Sequence, residues 1–451
     1  MKRTKIKNIL LILLILLLFI PLIQNTIPFI KEKPLGGEYI LTKKPDSLID
    51  NWFSGKYQTN YEPYFNENIG FRSFFIRLNN QLKYSFFDFI KIGLAVLGKN
   101  NQLFQSDYID AYMGFDFVGY DRIKKGFERI EYIQKKFKEN GIEFILVFAP
   151  AKTSFMPENI PPQYNLEKRT QTNYDLYVSY LRKSKINFID FNKYFISIKD
   201  TSRYPLYPVN GAHWSGYGIT LVTDSLTNYI SKLMNIKMVK QIDEGGYTTN
   251  TEMKCSDDDL ATPLNIFQNL DNLYMYYPNI KYITDTNTVR PNALFVGDSY
   301  VNGFYTFYPY LDSTFGKNSS FWSYNYKLKW HNRKIIDKKI LVHTLDVEKE
   351  VLSKDILVLL ITELNIKFLD EIFTQRFISL FKELENRKDL NADKRDNNNN
   401  INNSEIQSQI EIIKSNKEWF DLVKKQAAER KISVDEMVRK SALYFIKNKK
   451  S

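Results

Sequence analysis

Cysteine is nearly missing from this 451-residue chain, and histidine is scarce: Cys255 stands alone beside His213, His331 and His343. One thiol excludes an internal disulfide, so stability has to come from packing. Cys/His metal spacing is absent, and nothing in the sequence calls for a cofactor. No alanine occurs before Ala95, which removes an Ala-x-Ala cleavage site, and no cysteine near the amino end could carry a lipid. A recognisable nucleic-acid module, with basic residues interleaved among stacking aromatics, is also lacking, so the net charge of +12 does not by itself argue for nucleic acid.

What is present begins with Lys2, Arg3, Lys5 and Lys7, followed by Ile9 to Ile30, where only Gln24, Asn25 and Thr26 are polar. That run is long enough to cross ~30 Å of hydrocarbon as a helix. The positive flank keeps its start in the cytoplasm, so residues 1–30 read as cytoplasmic tail and uncleaved anchor, with the remainder exported. A cleaved signal peptide is the competing reading. Residues 31–95 form an aromatic-rich lead-in, read as core or as a lid, with a sugar-stacking surface as the rarer use.

A different rhythm governs 96–385. Gly98-Lys99-Asn100-Asn101 predicts a hairpin turn. Ile123, Phe127, Ile130, Ile133 and Phe137 form a helical stripe ending at Gly141, and a nearly all-apolar strand follows from Ile142 to Phe148. Tyr174 to Leu181 and Ile186 to Ile189 repeat the alternation, and Asp355 to Ile361 adds another buried strand before a helix over 365–385. This is the pattern of an α/β domain with a parallel sheet and flanking helices. Residues 234–289 lack periodicity and read as a loop-rich cover. Residues 386–410 lose their apolar content and read as a disordered linker. Residues 411–451 regain it as a small helical module, with Ser433 to Glu436 forming a capping box.

Two stretches carry chemistry. Ala293 to Val296 reads as a strand that breaks at Gly297-Asp298-Ser299, lifting Ser299 beyond the strand's carboxyl end, where open α/β sheets place their reactive groups. The second is Asn210-Gly211-Ala212-His213-Trp214-Ser215, a loop just before a helix running to Leu233. A serine hydroxyl needs a base to attack an ester at neutral pH, and His213 is the best base available. Lys152 follows another strand end, where an exposed surface lysine is the plainer reading.

These blocks, together with Pro150-Ala151-Lys152, Glu67 to Arg72 and Thr362-Glu363-Leu364-Asn365, resemble the SGNH-hydrolase-like proteins of the alginate O-acetyltransferase group over roughly residues 35 to 385. In that family the histidine motif precedes the serine, as it does here. The resemblance implies an SGNH-hydrolase-like (flavodoxin-like) fold and an exported, membrane-anchored enzyme of the cell inner membrane. Its main domain would lie in the periplasm and acetylate a surface or secreted polysaccharide through an acetyl-serine. Ser299 would be the nucleophile and His213 the base. A membrane-bound O-acyltransferase would pass acetyl across the membrane. An acetylesterase, or a non-catalytic polysaccharide-binding protein on the same fold, are the alternatives. The chain departs from the family at Gly211, where an aspartate often stands two residues before the histidine. Asn210, Asp298, Asp190 and Glu363 are the open candidates for the group behind the imidazole.

Overall fold

The computed structural model describes residues 2–37, 42–46, 49–87, 91–92 and 94–449, with side chains left out at 2–5, 49–50, 87, 91–92, 388–403 and 447–449. It divides into two compact units, Met1–Arg376 and Phe377–Ser451.

The first unit opens with helix α1 (Lys2–Thr26), built from leucine and isoleucine. Among the described residues it is the one helix long and apolar enough to cross a membrane, with mean hydropathy 2.8 over Ile6–Thr26. After a short helical turn, Ile49–Phe53, come two longer helices, α2 (Lys56–Asn68) and α3 (Arg72–Phe87). They hold most of the aromatic lead-in, but not as core. No residue of α2 is buried, and Phe74, Phe75 and Phe86 of α3 are exposed. Rings recur along α2 at helical spacing and stack on one another, Tyr57 on Tyr61 at 5.3 Å, instead of entering the domain.

Strands β1 (Ala95–Leu97) and β2 (Leu103–Gln105) pair antiparallel around the expected turn. Next come α4 (Tyr120–Glu139), β3 (Glu143–Ala149), α5 (Asn173–Leu181), β4 (Phe188–Asp190) and α6 (Gly216–Met234). The amphipathic stripe of α4 buries Ile123, Ile130, Ile133 and Phe137. The sheet is completed by β5 (Ala293–Gly297), β6 (Ser320–Ser323), β7 (Lys327–His331), β8 (Lys334–Leu341) and β9 (Ile356–Thr362). Its order is β8-β7-β6-β5-β9-β3-β4. The five strands from β6 to β4 are parallel, while β7 and β8 return antiparallel at one edge. Every residue of β5 and β9 is buried, as expected for strands covered on both faces. Each large side chain so buried contributes roughly 1.5–3 kcal/mol.

Because the five strands run the same way, Ala149, Asp190, Gly297 and Thr362 end at one edge. The stretch 234–289 contributes short strands, Lys240–Asp243 with Ile280–Ile283 and Tyr247–Thr249 with Met275–Tyr277, and the 3-10 turns Cys255–Asp258 and Thr262–Leu264. After β9 the helix expected over 365–385 is delayed. The backbone first makes a 3-10 turn, Glu363–Phe368, and a π turn, Leu369–Phe373. The tight first turn lets Asn365 reach back to the sheet edge, where its Nδ2 donates to Asp298 Oδ2 at 2.8 Å.

In the second unit the helices are α8 (Lys417–Glu429) and α9 (Val434–Lys449), preceded by α7 (Gln375–Ser415). The chain over 386–410, expected as linker, thus runs within a helix, although side chains 388–403 lie outside the described residues. Ile413, Val423, Ala427, Met437, Val438 and Ala442 make a small core of their own. The capping serine is in place, Ser433 Oγ accepting the Glu436 N–H at 3.2 Å.

Candidate active site

Ser299 follows β5 at the start of a short 3-10 turn, Ser299–Asn302. Gly297 permits that turn, since a Cβ there would stand 2.2 Å from the Leu360 carbonyl oxygen of the neighbouring strand. Asp298 fixes it. The carboxylate accepts the Tyr300 N–H at 3.1 Å, the Thr362 N–H at 2.7 Å, the Thr362 hydroxyl at 2.9 Å and the Asn365 amide at 2.8 Å. Asp298 is fully buried, which raises its pKa, and these donors oppose the rise. It is a fastener between β5 and β9 and does not contact the imidazole.

His213 arrives from the loop before α6. Ser215 caps that helix, its Oγ accepting the Gly218 N–H at 3.0 Å and donating to Pro205 O at 2.7 Å. Tyr300 joins the two motifs: its hydroxyl donates to Ala212 O at 2.8 Å, and its ring lies 4.6 Å from the imidazole centroid. The result is that His213 Nε2 and Ser299 Oγ are 2.8 Å apart, although 86 positions separate them in sequence.

The group behind the imidazole is none of the four candidates. It is Asp259, from the aperiodic cover, whose Oδ2 is hydrogen-bonded to His213 Nδ1. Its other oxygen accepts the Ala212 N–H at 2.8 Å, so one carboxylate holds both ring and loop. Burial pulls the His213 pKa down, but Asp259, with Asp298 and Asp257 behind it, brings the net shift above the ordinary imidazole value. Asn210 instead anchors the acid's loop, its carbonyl accepting the N–H groups of Leu260 and Ala261. Asp190 accepts the Tyr174 hydroxyl at 2.9 Å and caps the next helix through Lys193 N. Glu363 is buried with Ser154, whose hydroxyl donates to it at 2.7 Å, and with Asn192; burial pushes its carboxyl up to about 8. Among the other histidines, His331 Nδ1 pairs with Ser320 Oγ, and His343 lies in the turn Val342–Thr344.

Lys152 is not the surface residue its sequence position suggests. It is 3% exposed, and its ammonium donates to the carbonyls of Leu103, Pro208, Val209 and Gly211 at 2.7 to 3.0 Å. Burial draws its pKa down to about 7, opposed by the charge of Asp259. Four converging carbonyl oxygens are acceptors only, and a charged ammonium serves them better than a neutral amine. Sequence reasoning also passed over Tyr324. Burial and the charge of Asp298 raise the pKa of its phenol, and the neighbouring Ser299 and Asn365 oppose the rise. The backbone at Tyr324 has φ 51°, a costly conformation for a bulky residue. Asp259 sits in Asp257-Asp258-Asp259, three like residues without periodicity, and Tyr324 follows a strand as an ordinary aromatic, so neither gave a distinguishing signal.

Residues 95–319 match the family model of the SGNH hydrolase-like domain of the acetyltransferase AlgX. Among curated proteins there is no match. Solved structures that resemble the chain include AlgX of Pseudomonas aeruginosa, at 13% identity and TM-score 0.39, covering 60% of this chain and 66% of that one. The O-acetyltransferase domain of Pseudomonas putida AlgJ has 13% identity and TM-score 0.40, covering 64% and 99%. PatB1 of Bacillus cereus has 14% identity and TM-score 0.34, covering 56% and 93%. This chain therefore spans just under two thirds of the AlgX structure. The domain that brings Ser299 and His213 together is an SGNH hydrolase-like domain of the alginate O-acetyltransferase group.

Proposed function

We propose that the chain is an O-acetyltransferase acting by double displacement, with Ser299 as nucleophile, His213 as base and Asp259 as the orienting acid. The observation that carries this reading is the unbroken relay from Asp259 through His213 to Ser299. Ser299 Oγ attacks the acetyl carbonyl of a donor ester while its proton passes to His213 Nε2. The carbonyl electrons move onto oxygen as the tetrahedral adduct forms. They return as the donor alcohol leaves with the proton from His213, and acetyl-Ser299 remains. A sugar hydroxyl then repeats the sequence in reverse, its proton passing to His213 and returning to Ser299. Asp259 holds the ring in the tautomer with Nδ1 protonated and offsets the imidazolium charge, a role Asn210 lacks the charge to fill.

The Ser299 N–H, at the start of the turn that follows β5, is the donor we assign to the developing oxyanion. The acceptor we assign is a polysaccharide, on the strength of the family match. The apolar helix α1 supports a membrane anchor; the main domain we assign to the outside of the cytoplasm, with an acyltransferase in the membrane as acetyl donor. The test is the full chain with Ser299→Ala, assayed for acetyl transfer from an activated acetyl ester to an oligosaccharide and for labelling by a fluorophosphonate. Loss of both is expected; undiminished transfer overturns the assignment.

A second reading, acetyl-ester hydrolysis at the same serine, is favoured by one observation. The side chains of His213 and Asp259 are 18% and 27% exposed, which leaves water a path to the acyl-enzyme. Product analysis with an oligosaccharide present separates the two: free acetate alone supports the esterase, acetylated sugar the transferase.

A further inference from the structure

The outer end of α1 does not trail away from the folded domain. Gln24 turns the chain back, its side-chain oxygen accepting the N–H groups of Phe29 and Ile30 at 3.2 Å and its amide donating to Ile30 O at 2.6 Å. Gly70, in the turn between α2 and α3, lies against the helix so closely that a Cβ would stand 2.2 Å from the Pro21 carbonyl oxygen and 2.8 Å from Gln24 Cβ. Glu32 accepts the Phe71 N–H at 2.8 Å and the Ser73 hydroxyl. Arg77, itself buried, donates to Lys33 O at 2.9 Å and Pro34 O at 2.6 Å. Membrane helix, return segment and α3 are thus tied together.

Beside this junction lies a cleft of about 500 Å³, walled by Ile20, Ile30, Phe74, Phe75, Ile266 and Phe267. Phe74 and Phe267 face each other at 5.5 Å, yet Phe74, Phe75 and Phe267 remain 45%, 49% and 49% exposed. Ile20 fixes their depth. The span Ile6–Thr26 has 21 residues and is about 31 Å long, enough to cross the hydrocarbon, and its uninterrupted apolar part is Ile9 to Ile23. Ile20 is three residues before the end of that apolar part, roughly 4.5 Å inside it. Rings that share a cleft with Ile20 cannot stand in bulk water when α1 spans. Phenylalanine suits the apolar face of an element lying in this boundary, and the exposed Lys31 and Lys33 near the cleft complement anionic head groups.

We propose that this cleft is a lipid-binding surface: phospholipid acyl chains of the outer leaflet fill it against Phe74, Phe75 and Phe267, with Lys31 and Lys33 at head-group level. The inference rests on α1 being a membrane anchor. It has a consequence for the catalytic loop, because Phe267 is on the same segment as Asp259. That segment is held on α3 by Asn80 Nδ2 donating to Leu264 O at 2.8 Å, and by Gln81 Oε1 accepting the N–H groups of Phe267 and Gln268 at 3.0 Å. The bilayer, the cleft and the acid behind the imidazole are therefore joined by a short length of chain.

The test uses the full chain with Cys255→Ser, reconstituted alone into phosphatidylcholine–phosphatidylglycerol vesicles. Single cysteines at Phe75→Cys and Phe267→Cys carry a bimane label, and the quencher is phospholipid brominated on its acyl chains. Both positions are half exposed, so the substitutions spare the core. Leu14→Cys in α1 and Lys317→Cys, at the sheet edge opposite Ser299, serve as references. Bimane at Phe75→Cys and Phe267→Cys is expected to lose about half its emission or more, as at Leu14→Cys, while Lys317→Cys is unaffected. Quenching at Leu14→Cys alone overturns the proposal and leaves the anchor intact. Absence of quenching at Leu14→Cys as well removes the anchor and the proposal with it.

Discussion

Gly211 and Ser256 approach so closely that a Cβ on the first would stand 2.5 Å from the carbonyl oxygen of the second. The space that a side chain at 211 would need is filled by the turn that brings in Asp259. The aspartate expected two residues before His213 is absent because another loop occupies its place and supplies the carboxylate from elsewhere. Asp259→Asn should therefore lower kcat by about 10³-fold or more, with the geometry largely kept. Adding Gly211→Asp to that variant should not restore activity and should lower the unfolding midpoint, since the new side chain collides with backbone. Steady-state kinetics and thermal denaturation of the single and double variants check both halves.

The pH profile follows from the same carboxylate. In the proposed reaction His213 serves as base only when neutral, and its net pKa is raised, with Asp259 outweighing the effect of burial. The acidic limb of kcat/KM is expected to have its midpoint above the ordinary imidazole value of about 6.5. In Asp259→Asn the residual activity should show that limb shifted to lower pH, because burial remains and the nearest negative charge is gone. A limb that stays in place would mean that another group titrates there.

Glu363 gives a stability test independent of catalysis. Burial pushes its carboxyl up to about 8, far above its value in an unfolded chain. The folded state then binds more protons than the unfolded one across that interval. This contribution is complete below about pH 4.5 and is lost as pH rises through about 8. Glu363→Gln should flatten the loss of stability between pH 5 and 8 by on the order of 2 kcal/mol, read by urea denaturation across that range. The amide can donate to Ser154 or Asn192 as the protonated acid would, and Asn192 Oδ1 is buried without a partner.

The fold was legible wherever burial imposes a period. The stripe of α4 and the apolar runs of β3, β5 and β9 announce themselves because each has one or two covered faces. Ser299 and His213 were legible because glycine-rich turns set them apart. Asp259 was not: it earns its position from a tertiary contact with Ala212 N and His213, and a loop that packs by backbone hydrogen bonds leaves no pattern in side-chain order. Asp298 misled for the opposite reason. Adjacency to Ser299 makes it a natural candidate, yet its side chain points across to Thr362 and Asn365. In the lead-in, an aromatic content that normally signals interior lies on the outside of α2 and α3, which sequence composition does not distinguish.

Lys152 draws carbonyl oxygens from the hairpin strand β2 and from the loop that carries His213 onto one ammonium on the segment after β3. No one of these stretches can position the imidazole alone. The alcohol at 299 therefore meets its imidazole only after distant parts of the polymer have converged on that cation, which ties the pair to completion of the fold.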